Sequence, residues 1–186
     1  MKFEKLFNNV LSEIKTTLSK INDDSIESFS RKILDAKRIF LFAMGRSGLV
    51  IKAFAMRLMH LGLNVHVVGE VTTPALGKGD LLIVGSASGE TDSVVINCKK
   101  AKELGAEVVS ITASNDSSVA NQSNVIILIP TTTPKVPERK GISSVQPMGN
   151  LFEQSMLIVT DIIIMNLMEK LNIDSSDMYK NHVNIE

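Results

Sequence analysis

Between residues 39 and 129 the chain alternates short, largely apolar runs with segments of helical periodicity, and that alternation restricts the fold more than any other feature. The runs are Ile39 to Ala43, Val65 to Val68, Leu81 to Gly85, Val108 to Thr112 and Val125 to Ile129. Apolar runs of this length, lacking an outward polar face, read as strands buried on both sides. Helical patterns from about Gly48 to Leu61 and from about Thr91 to Leu104, and a short helical piece near Ser117 to Asn121, separate most of them. Strands joined through helices run parallel, so the expected fold is α/β, a three-layer αβα sandwich on a five-stranded parallel sheet. Gly62 and Gly105 fall just past two of the helices, where glycine takes the left-handed cap.

The flanks add helices. Phe3, Phe7, Val10, Leu11, Ile14, Leu18 and Ile21 recur at three and four and mark one stripe of a long first helix, followed by a shorter helix from about Ser25 to Ala36. After the last strand, residues 130 to 148 shift to Thr, Pro, Lys and Gly, a long loop expected to be mobile or ordered by a ligand or a neighbouring subunit. A helix from Leu151 to Leu171 and a polar tail from Asn172 to Glu186 complete the chain. With 186 residues, no internal repeat and no linker, one domain spanning 1–186 is expected, with an N-terminal helical segment (about 1–36) and a C-terminal tail (about 172–186).

Twenty basic residues balance twenty acidic ones, which gives no broad field to attract nucleic acid or an anionic membrane. Cys98 is the single cysteine, so neither a disulfide within the chain nor a thiolate zinc site is available. The amphipathic N-terminus lacks the apolar core of a signal peptide, and the most apolar segment, Met156 to Met168, is interrupted by Asp161 and Asn166. A soluble, cytoplasmic protein is the expectation.

Two strand-to-helix loops carry the chemistry. Gly85-Ser86-Ala87-Ser88-Gly89-Glu90-Thr91 follows one strand and opens a helix, and Met44-Gly45-Arg46-Ser47-Gly48 does so after another. Glycine allows close backbone approach, the hydroxyls are short donors, and the first amides of a helix point at an anion. Ala87 stands where a nucleophile elbow needs serine, no Gly-Lys-Ser/Thr follows, and the G-x-G-x-x-G spacing is absent. Ser88 also suits a plain helix cap, a role compatible with an anion site, and Arg46 suits either a solvated charge or a forked contact to a phosphate or sugar oxygen. The pattern predicts a small phosphorylated ligand.

Asn150-Leu151-Phe152-Glu153 has two readings. It is a capping-box pattern, in which Glu153 reaches back to the Asn150 amide, and local sequence favours that reading. Alternatively, Glu153 faces the ligand as a general base for a carbon-bound proton. Met56, Arg57 and His60 lie three turns into their helix, away from its ligand-facing end, where core or interface contact is expected. His182, Asn184 and Glu186 concentrate functional groups in a tail that either frays or docks over another subunit's site.

On these residues the chain resembles the sugar isomerase (SIS) domain family, and within it the 6-phospho-3-hexuloisomerases. The resemblance is carried by Gly45 to Gly48 continuing to Ala53 through Gly62, by Gly69-Glu70 through Thr72-Thr73-Pro74, and by Ser86 to Thr91. Downstream it is carried by Leu151-Phe152-Glu153 and by the terminal His182-Val183-Asn184-Ile185-Glu186. Departures are Ala87, where the family often has glycine, and Val183 and Ile185, where it has Ala and Leu. The resemblance implies a flavodoxin-like SIS fold and interconversion of D-arabino-hex-3-ulose 6-phosphate with D-fructose 6-phosphate through an enediol, without metal or organic cofactor. It implies substrate contacts at Gly45, Arg46, Ser47, Ser86, Ser88, Gly89 and Thr91, with Glu153 moving the proton. It further implies a homotetramer in which His182 contributes in trans, and functional coupling to 3-hexulose-6-phosphate synthase in the formaldehyde-assimilating ribulose monophosphate pathway.

Two rivals stand beside this. An isomerase of another sugar phosphate would carry similar anion loops, and a non-catalytic sugar-phosphate-binding regulator would share the fold. The regulator needs a DNA-binding unit, and the first ~35 residues hold no basic recognition helix.

Overall fold

The computed structural model describes residues 2–133 and 141–185. Two helices, α1 (Phe3–Leu18) and α2 (Asp23–Asp35), precede strand β1 (Ile39–Ala43) and helix α3 (Gly45–His60). Strands β2 (Val65–Val67) and β3 (Leu81–Ser86) follow, then α4 (Asp92–Glu103), β4 (Glu107–Thr112), a 3₁₀ turn at Ala120–Gln122 and β5 (Val125–Leu128). The long α5 (Asn150–Leu171) and the short α6 (Ser175–Tyr179) end the described chain. All five strands are parallel, in the order β2-β1-β3-β4-β5, the doubly wound flavodoxin-like arrangement.

Period-two alternation divides the strand side chains between two cores. Ile39, Leu41, Leu81, Ile83, Val109, Ile111 and Ile127 face α2, α3 and α5, meeting Phe29, Phe54, Phe152 and Met156. Phe40, Leu82, Val84 and Val108 face the opposite way, against Val94, Cys98 and Ala101 of α4 and Val119 beside the 3₁₀ turn. Helices therefore cover both faces of the sheet. Burial pushes the Cys98 thiol up to about 12, so it is a small apolar packing group.

The strands stand within a residue of their predicted ends. The differences lie elsewhere. The first helix stops at Leu18, and its stripe is buried only in part: Leu18 and Ile21 reach the core, whereas Phe3, Phe7 and Leu11 are exposed, as is Leu6 beside them. The helical piece predicted near Ser117 is one 3₁₀ turn further on, at Ala120–Gln122. The tail contains α6, whose Asp174 and Asp177 close a reciprocal cap.

The loop after β5 is fastened by this chain itself. Ile142 N donates to the Pro130 carbonyl (2.8 Å) and Thr132 N to the Ile142 carbonyl (3.1 Å), while Glu13 of α1 holds residues 144–146. Residues 134–140 of that loop, and Glu186 of the tail, lie outside the described residues. Among the described residues α5 alone is long and apolar enough to cross a membrane by length and composition. Half of its most apolar stretch is buried in the fold, because Phe152, Met156, Val159, Ile163 and Leu167 supply the larger core.

Candidate active site at the switch point

Chain order reverses direction across the sheet between β1 and β3: the path from β1 leads outward through α3 to β2, and that from β3 leads the other way through α4 to β4. Loops diverge there and leave a crevice at the carboxyl ends of the strands. A cleft of about 510 Å³ occupies this place, lined by both glycine and hydroxyl loops, by Thr133 and by Met148 to Asn150 and Glu153. Three helices, α3, α4 and α5, begin at its wall, so their amide ends and positive dipole ends converge on one space.

Glycine is required at two of these positions. A Cβ on Gly48 would stand 2.9 Å from the Ala43 carbonyl oxygen, which the tight turn from β1 into α3 brings close. Gly89 has φ +66°, and a Cβ there would overlap the Ser117 side chain, 2.1 Å from its Oγ. Gly89 does not line the cleft; it shapes the loop from behind, donating its amide to Ser86 Oγ at 3.1 Å. Ser47, Ser86 and Ser88 are buried, with Ser88 Oγ accepting from the Glu90 amide at 3.2 Å. Thr91 is the N-cap residue of α4 and makes no cap through its side chain.

The capping box predicted at Asn150 and Glu153 is not formed. Helix α5 begins one residue earlier in its cap, at Gly149, with no side-chain cap, because Met148 turns left-handed (φ 55°) just before it. Both polar side chains are thereby released towards Arg46 on α3. Arg46 Nη1 donates to Asn150 Oδ1 at 2.5 Å, and Arg46 Nε stands 3.1 Å from Glu153 Oε2. The Glu153 side chain is 16% exposed, and this burial raises its carboxyl above the ordinary value although the Arg46 cation pulls the other way. A poised carboxylate beside a half-exposed cation, above three helix N-termini, can take a proton from carbon while the anionic end of a ligand is held.

His182 does not reach this cleft within its own chain. It stacks on His60 (centroids 5.4 Å apart) and on Tyr179 (5.6 Å), at the far end of α3, which at ~1.5 Å per residue is roughly 20 Å from Gly45. Asn181 fastens the tail there by donating to the His60 carbonyl at 2.9 Å. Burial, with help from Arg57 and His182, pushes His60 below its usual value. Val94, Thr133, Met148, Gly149 and Asn150 are cleft residues that sequence reasoning passed over; Asn150 was in view only as a cap. Among the described residues no group of three or more His, Cys, Asp or Glu side chains is gathered as a metal site.

The SIS domain family profile matches residues 32–158, and the chain belongs to that family. It is 41% identical over 186 residues to the 3-hexulose-6-phosphate isomerase of Bacillus subtilis (strain 168), covering all of both chains. Against the 3-hexulose-6-phosphate isomerase of Mycobacterium gastri it is 37% identical, over 95% of this chain and 88% of that one. A crystal structure from Methanococcus jannaschii, for which the function of 3-hexulose-6-phosphate isomerase has been inferred, superposes with a TM-score of 0.84. It is 36% identical, over 98% of this chain and 99% of that chain.

Proposed function

We propose that the chain is an isomerase interconverting D-arabino-hex-3-ulose 6-phosphate and D-fructose 6-phosphate. The observation that carries the chemistry is that Glu153 is the only carboxylate among the described residues lining the cleft, with a raised pKa and a cation at 3.1 Å. The relatives supply the substrate. Ser47, Ser86, Ser88 and Thr91, with the amide ends of the helices, bind the phosphate, and Gly45 lets the backbone approach. Glu153 removes the proton from carbon 2 of the 3-ulose, leaving a 2,3-enediolate. It returns the proton to carbon 3 as the hydroxyl proton passes from oxygen 2 to oxygen 3. Arg46 steadies the oxygen that carries the developing charge.

The whole chain, 1–186, acts as one SIS domain with its helical N-terminal segment and its tail. The assembly is a homotetramer: Phe3, Leu6, Phe7 and Leu11 form an apolar face on α1 that this chain leaves uncovered. In that assembly His182 serves a neighbour's cleft, in ring opening. The protein works in the cytoplasm without metal or organic cofactor, taking its substrate from 3-hexulose-6-phosphate synthase in the ribulose monophosphate pathway.

The direct test supplies 3-hexulose 6-phosphate, made in situ from formaldehyde and ribulose 5-phosphate by a synthase, and reads fructose 6-phosphate. Turnover dependent on the protein is expected; absence of turnover, with thermal stabilisation by other sugar phosphates, overturns the substrate assignment. Arg46→Ala tests the cation. Loss of its positive charge lets the Glu153 pKa rise further, so the acid limb of kcat/KM moves to higher pH. Activity at the optimum falls about 10- to 100-fold. An unmoved acid limb would separate Arg46 from the base.

A further inference from the structure

Glu13 lies on α1, 131 to 133 residues away in sequence from the groups that it binds. Its carboxylate accepts from Ser144 Oγ at 2.6 Å, from the Val145 amide at 2.8 Å and from Gln146 Nε2 at 3.0 Å. Ser144 Oγ in turn accepts from the Gln146 amide at 3.0 Å, which closes the turn around the carboxylate. Partial burial alone would raise the Glu13 carboxyl, but the three hydrogen bonds outweigh it and hold the group below its ordinary value.

The segment so gripped leads directly into the cleft. Two residues after Gln146 comes Met148, a non-glycine residue at φ 55°, and then Gly149; both line the cleft, and Glu153 follows one helical turn later. A left-handed conformation at a residue with a side chain persists only where its surroundings over-determine it. Upstream the segment is pinned at Ile142 against Pro130 and Thr132, and downstream Asn150 N donates to the Pro147 carbonyl at 3.2 Å. Between those ties Glu13 supplies three charge-assisted bonds from an element outside both loop and cleft.

We propose that Glu13 is a positioning residue: by clasping Ser144, Val145 and Gln146 to α1 it fixes the Met148–Gly149 wall and the start of α5, and so the aim of Glu153. This rests on the isomerase reading for its activity readout. It gives the N-terminal helix a part in the site, although α1 contributes no side chain to the cleft lining.

The test compares the full-length parent with Glu13→Ala and Glu13→Gln, measuring kcat and KM, melting temperature, and amide hydrogen exchange at Val145 and Gln146. For Glu13→Ala, kcat is expected to fall about 10- to 100-fold, as for a small displacement of a reacting group. KM should change by less than about threefold, because the phosphate loop is untouched. The Val145 and Gln146 amides should exchange faster. Glu13→Gln, which keeps one acceptor oxygen, should recover part of kcat. If Glu13→Ala does not fold, Gln146→Ala removes one of the three bonds and must show a smaller kcat loss of the same kind. A lowered melting temperature with kcat unchanged at 25 °C would overturn the positioning role alone. An inactive parent would overturn the isomerase reading and this role with it.

Discussion

Glu153→Gln leaves a folded protein whose isomerase turnover is lower by about 10³- to 10⁴-fold, near the upper end of what a positioned base contributes. The size of the effect follows from the lining of the cleft. No second carboxylate and no histidine stands among the described lining residues, so nothing this chain places there can take over the proton. Stability should not suffer, because the parent carboxylate is already held at a disadvantage by burial, as its raised pKa records. The neutral amide has the same shape and spares that desolvation. Kinetics, melting temperature and fructose 6-phosphate affinity are therefore measured together. Retained affinity and melting temperature with lost turnover are expected. Activity within tenfold of the parent would remove Glu153 as the base, and a joint loss of binding would make it a binding group.

The contrast between the two readings of Glu153 shows where sequence carries information and where it does not. Strand positions were legible because each strand is a local apolar run flanked by loop residues, and the parallel order followed from the helices between them. The two anion loops were legible for the same reason: glycine and hydroxyl clusters at strand ends have a local backbone meaning. Asn150 and Glu153 carry a pattern with two local meanings, and the choice between them is made by Arg46, 104 residues from Asn150. The left-handed turn at Met148, which moves the cap to Gly149, has no sequence signal, since methionine is an unfavourable residue for it. Glu13 was invisible in the same way: it is one acidic residue on an amphipathic helix until a segment more than 130 residues later folds onto it. The cap of α6, by contrast, was readable in Asp174 and Asp177, but a five-residue helix shows no periodicity to draw attention to it.

The position of His182 is a further case. Its stacking on His60 joins the tail to the end of α3 farthest from the cleft, so a catalytic part for it requires a neighbouring subunit. The exposed apolar face of α1 leaves apolar surface uncovered by this chain, and the Asn181 bond to the His60 carbonyl ties the tail down next to the imidazole.

The largest stability effect is expected at the opposite edge of the sheet, from Arg38→Met. Arg38 and Asp80 are the residues immediately before β1 and β3, the two strands that carry the anion loops, and Leu81 N donates to the Arg38 carbonyl beside them. Asp80 has a side chain only 2% exposed and takes a forked contact from Arg38, Nε at 3.0 Å and Nη2 at 2.6 Å, plus the Gly77 amide at 2.8 Å. Arg38 Nη2 also donates to the Ala75 carbonyl, and the guanidinium lies 5.5 Å over the Phe40 ring. The two partners are unequal. Arg38 is 33% exposed and can turn to water if Asp80 is lost, whereas Asp80 without Arg38 keeps its burial with only the Gly77 amide and the charge of Lys37 to offset it.

Breaking such a pair from the cationic side should lower stability clearly, because it strands the less exposed partner, and Asp80→Asn should lower it less. In the parent the hydrogen bonds from Arg38, against the effect of burial, hold the Asp80 carboxyl below its usual value, with help from the Gly77 amide. A depressed folded pKa stabilises above the unfolded value and is lost as pH falls through the folded one. In Arg38→Met the burial effect is no longer opposed by the cation, so the deficit should be greatest at neutral pH and shrink in acid as Asp80 takes up a proton. Adding Asp80→Asn to Arg38→Met should recover part of the loss at neutral pH. Urea unfolding of the parent, both single variants and the double variant measures all of this. A loss no larger than that of an exposed ion pair for Arg38→Met, or a deficit that does not change with pH, would show that Asp80 finds other partners or water once Arg38 is gone.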